Sequence, residues 1–209
     1  MSVNENNSTL LIESQYFPSI DFYSTLIEHD ILQLEKYENY QKVSYRNRCY
    51  LAGPNGKMIL SVPLTKGKNQ RTIMKDVRIS NEERWQSLHW KTLVSAYRRS
   101  PWFEYYEPEL EALYEKSFNF LIDWNMACLE WANNKLGIRQ TISFTDGYQK
   151  EVPGVTDMRD KLIPGEVLHP EIQYPQVFED RTGFLPGLSI LDLLFCEGKQ
   201  AIEIIKSAK

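Results

Sequence analysis

The residues best suited to chemistry lie in a basic window, residues 42–75, which contains eight lysines and arginines and no carboxylate. Because the 209-residue chain has a net charge of −4 and this window carries +8, the remainder carries −12. A local excess of positive charge concentrates anionic ligands, and arginine in particular matches phosphate and carboxylate. The alternative is a solvated, solubilising face without a ligand. The eight residues are Lys42, Arg46, Arg48, Lys57, Lys66, Lys68, Arg71 and Lys75.

The sharpest local pattern in this window is Tyr45-Arg46-Asn47-Arg48. Because side chains alternate between the two faces of a strand, Arg46 and Arg48 are predicted to share one face. Two guanidinium groups on one face could clamp a diphosphate or two carboxylates. Asn47 could donate to and accept from a sugar or a base. The pattern therefore predicts an anion-binding clamp or, as the alternative, a hydrated face paired with surface glutamates.

A second basic segment, residues 66–71, reads Lys-Gly-Lys-Asn-Gln-Arg and is predicted to be a turn. Its backbone amides, together with Lys68, could bind a phosphate. It is not a P-loop, because the second glycine and the Lys-Ser/Thr pair are missing. Lys68 is therefore a candidate ligand-binding residue, with a plain exposed turn as the alternative.

His89 is the candidate general acid or base. The histidines His29, His89 and His169 are far apart in the sequence, and none belongs to a metal-binding motif. His89 follows Trp85 by four residues in a predicted helix, so the two side chains share a face. The alternative is a half-buried histidine that bonds only within the protein.

Several carboxylates in the second half of the chain could supply a base or a metal ligand, but each could equally be structural. None belongs to a recognised hydrolase, zinc-protease, dinucleotide or Cys-x-x-Cys motif, so the sequence predicts no metal site and identifies no cofactor. These carboxylates are Asp157, Asp160, Glu179, Asp180 and Asp192.

The chain opens with the order strand, loop, helix, strand. Residues 9–13 predict a buried strand, residues 20–28 a helix, and residues 31–34 a second strand. This order is typical of an α/β fold with a parallel strand pair. Because ligands usually bind at the carboxyl ends of such strands, the loop at residues 14–18, including Tyr16, is predicted to edge a site.

The basic window is predicted to fold mainly as a β-hairpin. Residues 43–51 and 57–64 are the two strands, and Gly-Pro-Asn-Gly between them is a strong turn signal. We therefore predict an α/β fold: a single domain at residues 9–209 with a mixed sheet, flanking helices and a basic β-hairpin, after a disordered tail at residues 1–8. Later helices are predicted at residues 80–99, from Pro108, at residues 119–135 and at residues 189–196.

The composition is that of a soluble globular protein, with 42% hydrophobic and 25% charged residues. Three widely spaced cysteines give no disulfide framework, which fits a reducing cytoplasm. The polar start and the absence of a run of about 18 apolar residues predict neither a signal peptide nor a membrane span. A pI near 5.5 argues against general nucleic-acid binding.

An ordered set of short motifs extends over about residues 10 to 198 of the chain. Together these motifs resemble the WbqC-like family of bacterial proteins. No single motif is diagnostic, but the order in which they follow one another is specific. They include Tyr16-Phe17-Pro18, Lys42-x-x-Tyr45-Arg46-Asn47-Arg48, Gly53-Pro54-Asn55-Gly56, Trp85-x-x-x-His89, Tyr174-Pro175-Gln176-Val177-Phe178 and Leu188-Ser189-Ile190-Leu191-Asp192.

The resemblance implies a cytoplasmic bacterial protein. Some relatives are associated with clusters for surface-polysaccharide synthesis, which implies activated sugars as ligands. Many relatives open with His-Gln-Pro-Asn-Tyr-x-Pro-Trp, whereas residues 12–19 of this chain read Ile-Glu-Ser-Gln-Tyr-Phe-Pro-Ser. If the missing histidine is catalytic in those relatives, this chain must use another base or have lost the activity.

Three functions remain open from the sequence. The first is a transferase-like enzyme that binds an anionic small molecule, a nucleotide sugar or sugar phosphate, through Arg46 and Arg48, with Tyr16 and Asn47 shaping the pocket and His89 as acid or base. The second is a non-catalytic ligand-binding or scaffolding protein, which the lack of a catalytic motif favours. The third, nucleic-acid binding, rests on the mixture of aromatic and basic residues at 45–50 and is not favoured.

Overall fold

The computed structural model describes residues 8–65 and 71–207 of the chain. Its strands are β1 (Thr9–Glu13), β2 (Ile31–Glu35), β3 (Arg48–Gly53), β4 (Gly56–Ser61), β5 (Thr141–Phe144) and β6 (Thr156–Asp157). Its α-helices are α1 (Ile20–Leu26), α2 (Trp85–Tyr97), α3 (Phe103–Glu115), α4 (Leu121–Leu136), α5 (Glu179–Thr182), α6 (Ile190–Glu197) and α7 (Ala201–Ser207). The predicted tail lies, apart from Ser8, outside the described residues.

Four strands form a parallel sheet in the order β5-β2-β1-β6. The central pair is in register from Thr9 opposite Ile31 to Glu13 opposite Glu35. Continuous aliphatic runs are typical of such central strands, because both faces of a parallel sheet are covered. The predicted α/β fold is therefore confirmed. The antiparallel pairing lies outside this sheet, in a separate hairpin.

The hairpin pairs β3 with β4, from Arg48 opposite Ser61 to Gly53 opposite Gly56. The predicted basic β-hairpin is therefore confirmed, but its first strand begins at Arg48 rather than at residue 43. Residues 45–47 form a turn instead, and this turn changes the direction of the chain before the strand starts. The prediction that Arg46 and Arg48 share a strand face was wrong for this reason.

The helices follow their capping residues. Ser19 and Ser189 each precede a helix, and the hydroxyl oxygen of each accepts a backbone N–H from the first turn. The helix α2 begins at Trp85, later than the predicted residue 80. The helix α4 ends as predicted, because Gly137 adopts the left-handed conformation (φ 70°) that glycine tolerates.

Aromatic rings fill much of the core and enclose the loop that follows β1. Trp124 is fully buried and makes ring contacts with Tyr16, Phe17 and Trp85 at centroid distances between 5.3 and 6.1 Å. This loop is therefore a packed element of the core and not an open site edge. In the described part of the chain, no helix is both long and apolar enough to cross a bilayer.

Candidate functional site

Carboxylates end three adjacent strands of the parallel sheet. Glu13 closes β1, Glu35 closes β2 beside it in the register, and Asp157 closes β6. Glu13 and Glu35 are almost completely buried, in strands whose other residues are mainly aliphatic. Buried carboxylates are costly unless they are paired, and the carboxyl edge of a parallel sheet is the usual place for ligands. This edge is the candidate site.

Arg46 joins three carboxylates at this edge. Its Nε donates to Glu38 Oε1 at 2.7 Å, and its Nη2 donates to Glu38 Oε2 at 2.6 Å, which is a bidentate pair. Nη2 also donates to Asp160 Oδ1 at 2.7 Å and lies 4.0 Å from Glu13 Oε2. The Arg46 side chain is only 1% exposed. The guanidinium predicted to clamp a ligand is therefore engaged with carboxylates of the protein itself.

Arg159 makes a second ion-pair group next to the first. Its Nη1 donates to Glu35 Oε2 at 3.0 Å, and its Nε donates to Asp157 Oδ1 at 3.0 Å. Glu35 also accepts hydrogen bonds from the Thr145 hydroxyl and the Tyr37 amide, each at 2.7 Å. Arg159 therefore links the carboxyl ends of β2 and β6 and holds these two strand ends together at the candidate site.

Arg46, Glu13, Glu38 and Asp160 form an ion-pair group, called the Arg46 group below. It contains more acidic than basic side chains, because one guanidinium faces three carboxylates. Burial raises the pKa of Glu38 to about 7, although its hydrogen bonds to Arg46 act in the opposite direction. Burial also raises the pKa of Glu13, against the attraction of Arg46. A carboxyl that exchanges its proton near neutral pH is suited to general acid–base chemistry, and such groups concentrate at functional sites.

Two cavities open onto this edge and form one cleft. The first, the polar arm, has a volume of about 190 Å³, and the second, the apolar arm, about 340 Å³. Gln41 and Asp160 line both arms, so the arms are contiguous. The polar arm is also lined by Tyr37, Glu38, Asn39, Tyr148 and Arg159, and the apolar arm by Lys42, Val43, Ser44, Arg46, Leu162, Ile163 and Pro164.

Two residues of the cleft have strained backbones. Val43 has φ 56° and Asp160 has φ 58°, in the left-handed region that residues other than glycine seldom occupy. For a β-branched residue such as Val43 this conformation is a genuine outlier. Strain of this kind costs about 1–3 kcal/mol and is concentrated at functional sites. The strained backbones and the buried charges therefore both indicate that this cleft is a functional site.

Asn47 and Arg48, the other described residues that were predicted from the basic window to bind a ligand, do not line the cleft. Asn47 is buried, where it accepts from the Tyr40 hydroxyl at 2.8 Å and donates to the Val62 carbonyl at 3.0 Å. Arg48 is half-buried, and its guanidinium makes no hydrogen bond or ion pair within residues 8–65 and 71–207. Lys68 lies outside the described residues. Their roles in ligand binding stay predictions.

Tyr16 and His89, predicted separately, are hydrogen-bonded to each other. The Tyr16 hydroxyl lies 3.0 Å from His89 Nδ1 and 2.7 Å from the Tyr114 hydroxyl. All three side chains are buried, and burial lowers the pKa of His89 to about 4, so its imidazole is neutral at pH 7. Neither Tyr16 nor His89 lines the cleft. The catalytic role predicted for His89 is therefore untested.

The sequence interpretation missed four residues of this site: Glu13, Glu35, Glu38 and Arg159. A signal was present for two of them, because Glu13 and Glu35 each end an aliphatic strand whose carboxyl end was expected to bind ligands. Asp157 and Asp160 had been named as candidate carboxylates. No group of three or more histidine, cysteine or acidic side chains in the described ranges is arranged to hold a metal ion.

Glu38 should make stability depend on pH. With a pKa of about 7 when folded, against an ordinary 4.5, Glu38 holds a proton in the folded state that the unfolded chain releases between these values. The stability it contributes is complete below pH 4.5 and is lost as the pH rises to 7. In urea titrations between pH 4.5 and 8, we expect the free energy of unfolding of the wild type to fall by roughly 3 kcal/mol more than that of Glu38→Gln. Parallel pH profiles of the two proteins would contradict this assignment.

Comparison with known proteins identifies one family. The model of the WbqC-like protein family matches residues 13–163, which is well over half of the chain. The matched range contains Glu13, Glu38, Arg46, Arg159 and Asp160, which form the ion pairs at the carboxyl edge of the sheet. No curated protein and no solved structure matches the chain.

Proposed function

Because the chain belongs to the WbqC-like protein family, and because its cleft contains a carboxyl that titrates near neutral pH, we propose that it is a transferase-like enzyme acting on a sugar. The sugar would be nucleotide-linked and used in bacterial surface-polysaccharide synthesis. The observation that carries this proposal is Glu38, which lines the polar arm and is oriented by the bidentate Arg46.

Glu38 would act as the general base of the transfer. As a sugar hydroxyl oxygen forms a bond to the transferred group, the bond from that group to its leaving group breaks and the leaving group takes the electron pair. The Glu38 carboxylate takes the hydroxyl proton and then gives it to the leaving group. An efficient base has a pKa near the working pH, and such catalysis typically contributes about 10²–10⁴-fold. Arg46 is a positioning residue in this scheme, because it holds both oxygens of Glu38.

The polar arm has the side chains that bind a hydroxylated ring. Carboxylate, amide and guanidinium groups of Glu38, Asn39 and Arg159 pair with hydroxyls as acceptors and donors. The Tyr148 ring is 57% exposed, and its face covers the Arg159 guanidinium at 5.1 Å. An exposed aromatic ring beside convergent polar groups is a common feature of small-molecule sites.

The charge of the cleft restricts where an anionic group could bind. The net charge of the polar arm and of the strand ends next to it is negative, even with one carboxyl protonated. The charged residues are five carboxylates and two arginines: Glu13, Glu35, Glu38, Asp157, Asp160, Arg46 and Arg159. A nucleotide phosphate would therefore be repelled from the polar arm. In this proposal Arg46 orients the base and does not contact the phosphate.

The second candidate is a non-catalytic ligand-binding or scaffolding protein. It is favoured by the burial of Tyr16, Arg46, Asn47 and His89, each of which forms hydrogen bonds within the protein. These internal hydrogen bonds alone would explain why the four residues are present, without any catalysed reaction.

A thermal-shift screen against nucleotide sugars, sugar phosphates and nucleotides tests the proposal. A ligand at about 100 times its dissociation constant should stabilise the protein by roughly 2.7 kcal/mol. We expect stabilisation by a nucleotide sugar, reduced in Tyr148→Ala and kept in Tyr105→Ala, a matched control because Tyr105 on α3 is 58% exposed. The proposal fails if no sugar-containing compound stabilises the protein, or if both variants respond as the wild type does.

A further inference from the structure

The apolar arm is lined by aliphatic side chains that are unusually exposed. Val43 is 59% exposed and Ile163 is 47% exposed, and Pro164 and the buried Leu162 complete the aliphatic lining. Apolar surface of this kind is stabilised when a ligand removes it from water. The volume of about 340 Å³ is within the range of small-molecule pockets, so a small group could fill it.

This aliphatic surface is continuous with the polar arm. Gln41 and Asp160 line both arms, and Arg46 and Glu38, which form the bidentate pair, line one arm each. A ligand bound beside Glu38 therefore has an aliphatic surface within reach on the far side of Asp160. The apolar arm thus adds exposed aliphatic side chains to the cleft, although Lys42, Ser44 and Arg46 also line it.

From this arrangement we propose that the ligand is a sugar carrying a short aliphatic group, and that the apolar arm binds this group. The inference rests on the proposed function, because it takes the polar arm to be the sugar site. The aliphatic group is an acyl substituent on a sugar nitrogen, because the anomeric oxygen of a nucleotide-linked sugar is bonded to phosphate. Its methylene groups would contact Val43 and Ile163.

The conformation of Val43 supports an aliphatic occupant. The left-handed backbone at φ 56° directs a β-branched side chain into the arm, where more than half of it stays in contact with water. Nothing in the burial of Val43 offsets this strain, because its exposed side chain gains little from packing. Contact with a bound hydrocarbon would supply the missing packing. Glycine or asparagine would adopt the same backbone more readily.

Two ligand series test the inference by calorimetric titration. One is methyl, butyl and hexyl β-D-glucoside, and the other is glucosamine carrying N-acetyl, N-butanoyl and N-hexanoyl groups. We expect the dissociation constant to fall about threefold to fourfold for each added methylene in the N-acyl series. The glucosides, whose chain leaves from the anomeric oxygen, are the control series and should show a smaller fall.

Two substitutions connect this dependence to the apolar arm. Ile163→Asn and Val43→Asn should each reduce the dependence of the dissociation constant on chain length. Ile59→Asn on the hairpin is the control and should leave this dependence unchanged. Ile59 is similarly exposed at 51% but does not line the cleft. Melting curves of the three variants test whether they stay folded. Asparagine tolerates the left-handed conformation at residue 43, so the backbone should not oppose folding of Val43→Asn.

The inference and the proposed function can fail separately. Equal affinity for all members of the N-acyl series, an equal fall in both series, or an unchanged slope in Ile163→Asn and Val43→Asn would overturn the inference and leave the sugar proposal standing. Failure of every compound to bind would also overturn it. A slope that survives when the sugar is replaced by an alcohol of the same chain length, with no response to nucleotide sugars, would support the apolar arm but remove the proposed sugar chemistry.

Discussion

Replacing Arg46 with alanine is expected to lower the free energy of unfolding by about 3–5 kcal/mol, because it leaves buried carboxylates without their cation. Glu38 loses both of its short hydrogen bonds, and Glu13 loses the only cation within 4.0 Å of it among the described residues. Chemical denaturation of the purified variant at pH 8, where both carboxyls have the strongest tendency to ionise, measures this loss.

Arg48→Ala is the matched control for this substitution. Arg48 lies two residues further along the chain and is half-buried, but its guanidinium has no partner among the described residues. We expect its replacement to cost less than about 1 kcal/mol, as is usual away from buried networks. Adding Glu38→Gln to Arg46→Ala should restore part of the stability, since it removes one unpaired buried charge. A loss below about 1 kcal/mol for Arg46→Ala as well would show that the Arg46 group does not stabilise the fold.

The parallel sheet and the hairpin could be predicted because their signals are local. An aliphatic run, a capped helix and a second aliphatic run lie within residues 9–35, and together they determine a parallel strand pair. The hairpin follows in the same way from its Gly-Pro-Asn-Gly turn. Each signal requires only neighbouring residues, and the pairing confirms the interpretation in both places.

The site could not be predicted in the same way, because its contacts join distant parts of the chain. Arg46 and Asp160 are separated by 114 residues, and Arg159 and Glu35 by 124. The basic window was interpreted by its charge alone, which suggested that Arg46 was free for a ligand. Its partner Glu38 lies only eight residues before it, but outside the window by four residues. Charge counted along the sequence does not show which charges are neutralised in the fold.

The hydrogen bond between Tyr16 and His89 is an intermediate case. Both residues were selected for their chemistry, and the structure brings them together across 73 residues of sequence. The sequence did not indicate that both would be buried, because burial depends on Trp124 and Tyr114 from other helices. The chemistry of an active site and that of a buried polar contact use the same residue types, so only the fold separates the two.

Replacing Glu38 with glutamine is expected to lower kcat about 10²–10⁴-fold for the transfer reaction found with the ligand from the thermal-shift screen. Glutamine keeps the size and one acceptor oxygen of the side chain, but it cannot take a proton. The substrate dissociation constant should change little, because the substitution leaves the contacts proposed for the sugar with Asn39 and Arg159 in place. Single-turnover kinetics and calorimetric binding, measured on the same variant, separate these two effects.

The pH profile distinguishes a base from a residue that merely supports the fold. If Glu38 takes the proton, the wild-type kcat should rise with pH through about 7, as its carboxyl ionises, and reach a plateau above this value. The residual activity of Glu38→Gln should lack this rise. Glu104→Gln, at an exposed position on α3, controls for the loss of a carboxylate elsewhere and should keep the wild-type profile. A Glu38→Gln enzyme with unchanged kcat would rule out Glu38 as the base and favour a binding protein or another catalytic group.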